Sequence, residues 1–544
     1  MRICSVDCSL DTAFRELGHE VLSLRPGPGF FDLDTALSEQ GFAPDLVVQQ
    51  ERLGPRTLLQ GLEAISCPRV FWSIDTHLNS FWQLPYGRLF DLVLTTQQSW
   101  VSRLHSLGLP RVAWLPWFGF DHAWTPWSRR RFKTSFVGRV TSHRPVRQAF
   151  TAFLSQEFGT PIHQELPFKD MVAVYADTLL APNESILGEV NFRTFEAASC
   201  GCVVVCQRLG QDLEPLFEQG REILVYDHAL ELKQILSQAL SMPERMRRIG
   251  AAARDRIHRE HLPSHRAERL LDLAAGCPAG GGAGTGGRAG LLLTRFELWQ
   301  AGRLNLQGER LLADLTHHLP APEVLAAAIA LTLRLRGSDE TKTLLVRILA
   351  GKESQKEWRV NLAGSMAALQ LGSFDLARQF WYRQARSQKS KHPPVADPLE
   401  IYLAWSRELV RLDRTLRPGF VFDPKIHIPA AAFECLLSAH VKWPESLRVQ
   451  RQMNGLLATV RGTEQLRMGL LSSLTMRAPD NWRDGLELAM VNLRIFRIRQ
   501  GLEEALAAHD AACSKGEEQR FYRLLSGMDP SGTLALALKK LQLH

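Results

Sequence analysis

Eleven of the fifteen residues from Gly276 to Gly290 are glycine or alanine, so the stretch has little side chain to bury and much backbone entropy to lose on ordering. The sequence changes rhythm across it. Before it, short β-branched runs alternate with helical patterns: Val21-Leu22, Asp45-Leu46-Val47-Val48, Arg69-Val70-Phe71-Trp72, Leu92-Val93-Leu94 and Val112-Ala113-Trp114-Leu115. After it, strand signals nearly vanish and apolar residues recur at helical spacing, as in Leu362, Met366 and Leu369 or Ala327 and Leu331. The pattern predicts an α/β half, a flexible linker over 276–290 and a helical half, separable at the linker.

A chain of 544 residues should hold about three compact units. With 45% hydrophobic and 22% charged residues it has ordinary cores to build. The net charge of +8 is spread along the chain rather than gathered in basic blocks, which gives no sign of a nucleic-acid partner. Several of the nine cysteines sit in strand-like apolar runs such as Cys202-Val203-Val204-Val205-Cys206 and lack the spacing of a zinc site, so they read as reduced core residues. Met1-Arg2-Ile3-Cys4 opens as a buried strand with no signal peptide, and the apolar run from Val324 to Leu333 is too short to span a bilayer. The expectation is a cytoplasmic protein without a transmembrane segment.

A second strand series follows the first: Thr134-Ser135-Phe136-Val137-Gly138, Thr178-Leu179-Leu180-Ala181, Cys202-Val203-Val204-Val205 and Glu222-Ile223-Leu224-Val225-Tyr226. The α/β half therefore reads as two Rossmann-like domains, 1–120 and 121–275, joined near Pro116-Trp117-Phe118-Gly119, where Trp114, Trp117 and Trp124 are placed to line a cleft. Parallel sheets bind ligands outside the carboxyl ends of their strands. In the helical half, 291–544, Gly372-Ser373-Phe374-Asp375 and Gly501-Leu502-Glu503-Glu504 are partial matches to a tetratricopeptide unit; an irregular bundle is the other reading.

The segment from Ala181 to Val205 is the most informative for chemistry. A strand enters a loop containing Gly188, Glu189 and Asn191, a helix carries Arg193 and Glu196 three residues apart on one face, and Cys200-Gly201 stops it before another strand. A helix start beside strand ends suits an anion such as a diphosphate near Gly188 to Asn191. Glu196 is placed to accept hydrogen bonds from two ribose hydroxyls, with Arg193 serving phosphate or orienting Glu196; an exposed ion pair between the two is the plain alternative.

The Arg193-x-Phe195-Glu196-Ala197 helix with Gly201, the Ser135-Phe136-Val137-Gly138-Arg139 turn, Trp114-Leu115-Pro116, and the tail from Glu222 through His261 and Arg266 resemble the donor-binding part of GT-B glycosyltransferases, especially the CgeB-like, spore-maturation-type group. The resemblance spans roughly residues 1–275. It implies a GT-B pair of Rossmann-like domains, acceptor-side first and donor-binding second, holding a UDP-, GDP- or dTDP-sugar. Glu196 would then lie on the ribose, Gly138-Arg139 beside the diphosphate, and Arg139, Arg144 and Arg193 would stabilise the leaving group without a metal. Two departures stand out. The position eight before Glu196 is Gly188, with Glu189 one place late, where many retaining members of the superfamily have a glutamate, and the first strand leads into Asp7-Cys8-Ser9 rather than a glycine-rich loop.

In the first domain, Ser73-Ile74-Asp75-Thr76-His77 follows a strand, and Asp75 or His77 is a candidate base for an acceptor hydroxyl. Taken together, these readings describe a glycosyltransferase whose helical half presents an acceptor, a protein such as flagellin by analogy with transferases fused to tetratricopeptide-like regions. The alternatives are a cell-surface polysaccharide transferase with helices for oligomerisation, and a non-catalytic scaffold of the same fold. A sugar-nucleotide epimerase shares that fold.

Overall fold

A computed structural model of the chain describes residues 1–278, 285–318, 321–387 and 395–542. They form a mixed α/β protein with two separate parallel sheets and a large helical complement, gathered into two units: Met1–Leu115 with Ala267–Val449, and Pro116–Arg266 with Gln450–His544. The helical half is thus shared between the two units rather than standing as a body of its own.

The strands of the first unit are β1 (Arg2–Val6), β2 (Glu20–Leu24), β3 (Gly29–Asp32), β4 (Leu46–Gln50), β5 (Thr57–Gln60), β6 (Arg69–Ser73), β7 (Leu92–Thr95) and β8 (Val112–Trp114). Six make one parallel sheet in the order β2-β1-β4-β6-β7-β8, and β3 pairs with β5 beside it. β4, β6 and β7 are buried along their whole length, which is why they read as unbroken apolar runs. Helix Thr76–Tyr86 follows β6, and Phe81, Trp82 and Tyr86 on it share a core with Phe71 and Val93 of the sheet.

Two residues from beyond the glycine-rich stretch, Leu298 and Phe420, belong to that same core. The linker expectation needs correcting accordingly. Residues 279–284 lie outside the described residues, but helix Thr285–Gln300 begins inside the predicted linker. At Gly290 a Cβ would come within 2.6 Å of the Pro85 carbonyl oxygen. The glycine there serves close helix packing rather than flexibility. Arg88 and Glu323 form a further tie in this unit, Nη2 to Oε1 at 3.0 Å.

The second unit carries β9 (Phe132–Thr134), β10 (Phe136–Val137), β11 (Ile162–His163), β12 (Thr178–Pro182), β13 (Val203–Gln207) and β14 (Leu224–Tyr226). Its sheet runs β14-β13-β12-β9, all parallel, and β10 pairs with β11 apart from it. The expected strand from Thr134 to Gly138 is in fact two, broken at Ser135, whose hydroxyl is bound by Thr178 at 2.9 Å. Trp124 packs on Gly201, where a Cβ would meet its ring at 2.4 Å.

Phe496, from the far end of the sequence, packs among Phe150, Phe153 and Tyr226 at centroid distances of 5.1, 5.7 and 6.3 Å. His228 Nε2 lies 3.2 Å from Asp529 Oδ1, both side chains essentially sealed from water.

Among the described residues no strand follows β14, as the sequence leads one to expect. The two tetratricopeptide-like matches are helical hairpins, Trp358–Gln370 with Phe374–Ser387 and Trp482–Arg494 with Ile498–Ser514, and they fall in different units. All nine cysteines are free and seven are buried. No helix of the described residues is long and apolar enough to cross a membrane.

Candidate functional site

The site in the second unit grows from the end of β12. Asn183 extends the strand, its N–H donating to the Val205 carbonyl at 2.8 Å, and Glu184 then turns inward. Arg147, on helix Pro145–Phe158, meets it with Nε donating to Glu184 Oε2 at 2.6 Å, the two side chains 1% and 6% exposed. Neither charge can be removed alone without stranding the other in a dry environment.

Arg193, in the first turn of helix Phe192–Ser199, donates from Nε to Asn183 Oδ1 at 3.1 Å and from Nη2 to the Glu184 carbonyl at 2.9 Å. Its guanidinium lies over the Phe136 ring, 5.6 Å from the centroid. A Cβ on Gly138 would sit 3.0 Å from Arg193 Nη1, so Gly138 is required by the approach of this arginine. Arg193 therefore clamps the β10 turn to the β12 turn. Asn191 is the N-cap of the helix, yet its side chain caps nothing; it is spent on Asn183, whose Nδ2 donates to Asn191 Oδ1 at 3.0 Å. The first-turn N–H groups are left without a side-chain acceptor, which is the arrangement that receives anions.

Glu196, one turn further along, makes no ion pair with Arg193. Its half-buried carboxylate has one oxygen, Oε2, closed off from water and without a hydrogen-bond partner among the described residues. Burial pushes this carboxyl up to about 7, with Arg193 pulling the other way. A buried acceptor left unsatisfied in the free protein is positioned for donors brought by a ligand. Glu189 is also raised to about 7 by burial, against the pull of Arg193 and Arg147.

Between Ser185 and Asn191 the loop passes through two successive left-handed residues, Leu187 (φ 50°) and Gly188 (φ 76°). Gly188→Ala should cost about 1–2 kcal/mol of stability, since a Cβ there would also lie 3.1 Å from that of Arg461; denaturant titration checks it. Below this loop, at the carboxyl ends of β12, β13 and β14, lies a cavity of about 480 Å³. Arg144 and Gly188 line it, as do Arg208, Arg461 and Arg494. Burial, then the neighbouring Arg147, lowers the Arg144 guanidinium from its ordinary value. Arg139 is set apart from this group, exposed at the surface 3.6 Å from Glu165.

Sequence reasoning missed Arg461 and Arg494. Arg461 lies in the turn between helices Leu447–Ala458 and Glu464–Arg477, and Arg494 ends helix Trp482–Arg494, both more than 250 positions downstream of the loop, a separation at which no local pattern marks them.

In the first unit, Asp75 stands at the N-cap position of helix Thr76–Tyr86 without a side-chain bond to the helix start, and His77 lies in its first turn, 2% exposed. The turn is fastened by Glu51, which was not anticipated: its Oε2 accepts N–H bonds from Ile74 at 2.9 Å and Asp75 at 2.8 Å, and Oε1 accepts from Asn79 Nδ2 at 2.6 Å. Burial, reinforced by the charge of Asp75, raises Glu51 to about 7. The polar run Gln49-Gln50-Glu51 closing a valine-rich strand was the available signal.

Residues 126–272 match the family described as glycosyl transferase-like. That stretch contains the second sheet, the Arg193 clamp and Glu196. Among solved structures, the chain is similar to HepE of Anabaena, in complex with UDP and glucose, at 14% identity and a TM-score of 0.36, covering 51% of this chain and 99% of that one. It is similar also to sucrose-phosphate synthase from Thermosynechococcus elongatus (10% identity, TM-score 0.38, 51% and 98% covered) and to the pneumococcal O-GlcNAc transferase GtfA (9%, 0.33, 44% and 58%). No curated protein matches the chain.

Proposed function

We propose that the chain is a glycosyltransferase that moves a sugar from a nucleotide-sugar donor, a UDP-, GDP- or dTDP-sugar, to an acceptor hydroxyl. The observation that carries this reading is the Glu196 carboxylate: half-buried, raised to about 7 and with its sealed Oε2 lacking a partner among the described residues, on a helix within the family-matched residues. Two ribose hydroxyls supply the donors it lacks. Gly138, Arg144 and the 188–191 turn then face the diphosphate, where guanidinium and helix-end N–H groups stabilise the charge that grows as the sugar departs; Arg139, exposed beside Glu165, joins them only if its side chain swings away from that partner. In the first unit Asp75 or His77 takes the proton of the attacking hydroxyl.

The acceptor in this reading is a protein, flagellin being the example, met by the helical hairpins; such surfaces suit extended chains. The test is a thermal-shift panel of nucleotide sugars on the full chain, followed by sugar-transfer assays with the stabilising donor. Stabilisation by one base class, lost in Glu196→Ala, is the expected result, and stabilisation by none would sink the reading. Because the leaving-group charge is assigned to arginines, chelators should leave turnover unchanged; activity abolished by chelation and restored by a divalent ion would contradict that assignment.

A further inference from the structure

We propose that the cavity at the ends of β12–β14 is a diphosphate-binding site completed by the helical segment, with Arg461 and Arg494 joining Arg144 as its cations. The inference rests on the transferase reading for the natural ligand but not for the anion site itself.

The cavity is lined by more arginines than carboxylates: six against Glu184, Asp227 and Glu464. Of the six arginines that line it, Arg147 is held by Glu184, and Arg467 by Glu487 and Asn454 at 2.9 and 3.0 Å. Arg208 stands 3.6 Å from both Asp227 and Glu231. Arg144, Arg461 and Arg494 make no ion pair among the described residues. Glu184 and Glu189 act on Arg144 from a distance and Glu464 also lines the cavity, but three guanidiniums without a direct ion-pair partner leave donors free for an anion, and planar guanidinium is well matched to phosphate oxygens.

A second observation is independent of charge. Ser185, also on the cavity wall, is 6% exposed, and its hydroxyl has no hydrogen-bond partner among the described residues. A sealed hydroxyl of this kind is satisfied by a ligand oxygen. Arg144 is moreover the N-cap of helix Pro145–Phe158, with no side chain bonded to the helix start, so the positive end of that helix opens on the same space. The volume of about 480 Å³ lies within the range of small-ligand sites.

Arg461 is held in place by backbone rather than by a salt bridge. Its Cβ would lie 3.1 Å from a Cβ at Gly188, and at the next residue, Gly462 (φ 77°), a Cβ would approach Leu187 Cα to 2.5 Å. The turn between helices Leu447–Ala458 and Glu464–Arg477 is therefore seated on the 187–188 turn, and a helical element becomes one wall of the proposed donor pocket.

The test is calorimetric titration of the full-length chain with inorganic pyrophosphate. One pyrophosphate per chain is expected, weakened roughly 10- to 100-fold for each arginine removed in Arg461→Gln, Arg494→Gln and the double variant. Arg461 is exposed, so its single variant should keep the wild-type unfolding midpoint and serves even if the double variant does not fold. A wild-type chain that does not bind pyrophosphate, or an intact Arg461→Gln variant that binds it unchanged, overturns the inference. Pyrophosphate bound through these arginines but displaced by no nucleotide sugar would uphold the anion site and end the transferase reading. Glu196-dependent nucleotide binding indifferent to both arginines would do the reverse.

Discussion

A chain ending near residue 275 is expected to aggregate or remain unfolded rather than survive as a donor-binding half. The glycine-rich composition of 276–290 suggests a free joint, but the packing on either side of it argues otherwise. The first unit would lose Leu298 and Phe420 from the core that holds Phe81, Trp82 and Val93, together with the helix that Gly290 brings against Pro85. The second would lose Phe496 from between Phe150, Phe153 and Tyr226, and Asp529 from the buried His228. At about 1.5–3 kcal/mol for each buried large apolar side chain, the first unit loses about 3–6 kcal/mol from Leu298 and Phe420 and the second about 1.5–3 kcal/mol from Phe496, besides everything else the missing helices bury. Against a net stability of about 5–15 kcal/mol for a typical domain, these are large fractions. Circular dichroism and sedimentation of the truncated chain provide the check. A monomer that melts cooperatively and keeps its nucleotide affinity would mean that the helical residues cover the sheets without supporting them. The same reasoning predicts that residues 291–544 alone will not fold, since their apolar surface is finished by the two sheets.

What the sequence made legible was whatever is encoded within a few neighbouring residues. β4, β6, β7 and β13 each carry a run of apolar residues and are buried on both faces, so those runs announce them. Arg193 and Glu196 could be placed on one helix face from spacing alone. β3 and β5 escaped notice because they are only four residues each and β3 alternates between half-buried and exposed positions. The actual partners of Arg193 escaped the sequence for a different reason. Spacing brings it near Glu196, but the nearby Asn183 side chain and Glu184 carbonyl are better oriented acceptors. Glu51, Arg461, Arg494 and Phe496 act through contacts across tens to hundreds of positions, and such contacts leave no local periodicity. Gly290 shows the ambiguity of composition: glycine marks loose chain and tight helix packing alike, and only the neighbouring Pro85 carbonyl distinguishes them.

Glu196→Ala should weaken donor binding on the order of 100-fold while leaving the fold intact. Two hydrogen bonds from ribose hydroxyls to a carboxylate are worth about 1.5–3 kcal/mol each before the loss is softened by water entering the space. The pH dependence makes the assignment more specific. In the free protein the carboxyl is raised to about 7 by burial, with Arg193 lowering it, and hydroxyls donating to it in the complex favour its ionised form. Binding near neutrality must then release a proton. Donor affinity should be flat above about pH 7 and fall by up to tenfold per unit as pH drops below it. The effect on stability has the opposite sign: the raised carboxyl favours the ligand-free fold fully below its ordinary value, and that contribution is lost as pH rises through about 7. Glu51 and Glu189 are raised to about 7 as well, so the deciding comparison is Glu196→Gln, which keeps the shape and removes the titration. Its affinity should be low and nearly independent of pH between 6 and 8. A variant that retains the wild-type slope would assign the titrating group to Glu51 or Glu189 and remove Glu196 from the ribose.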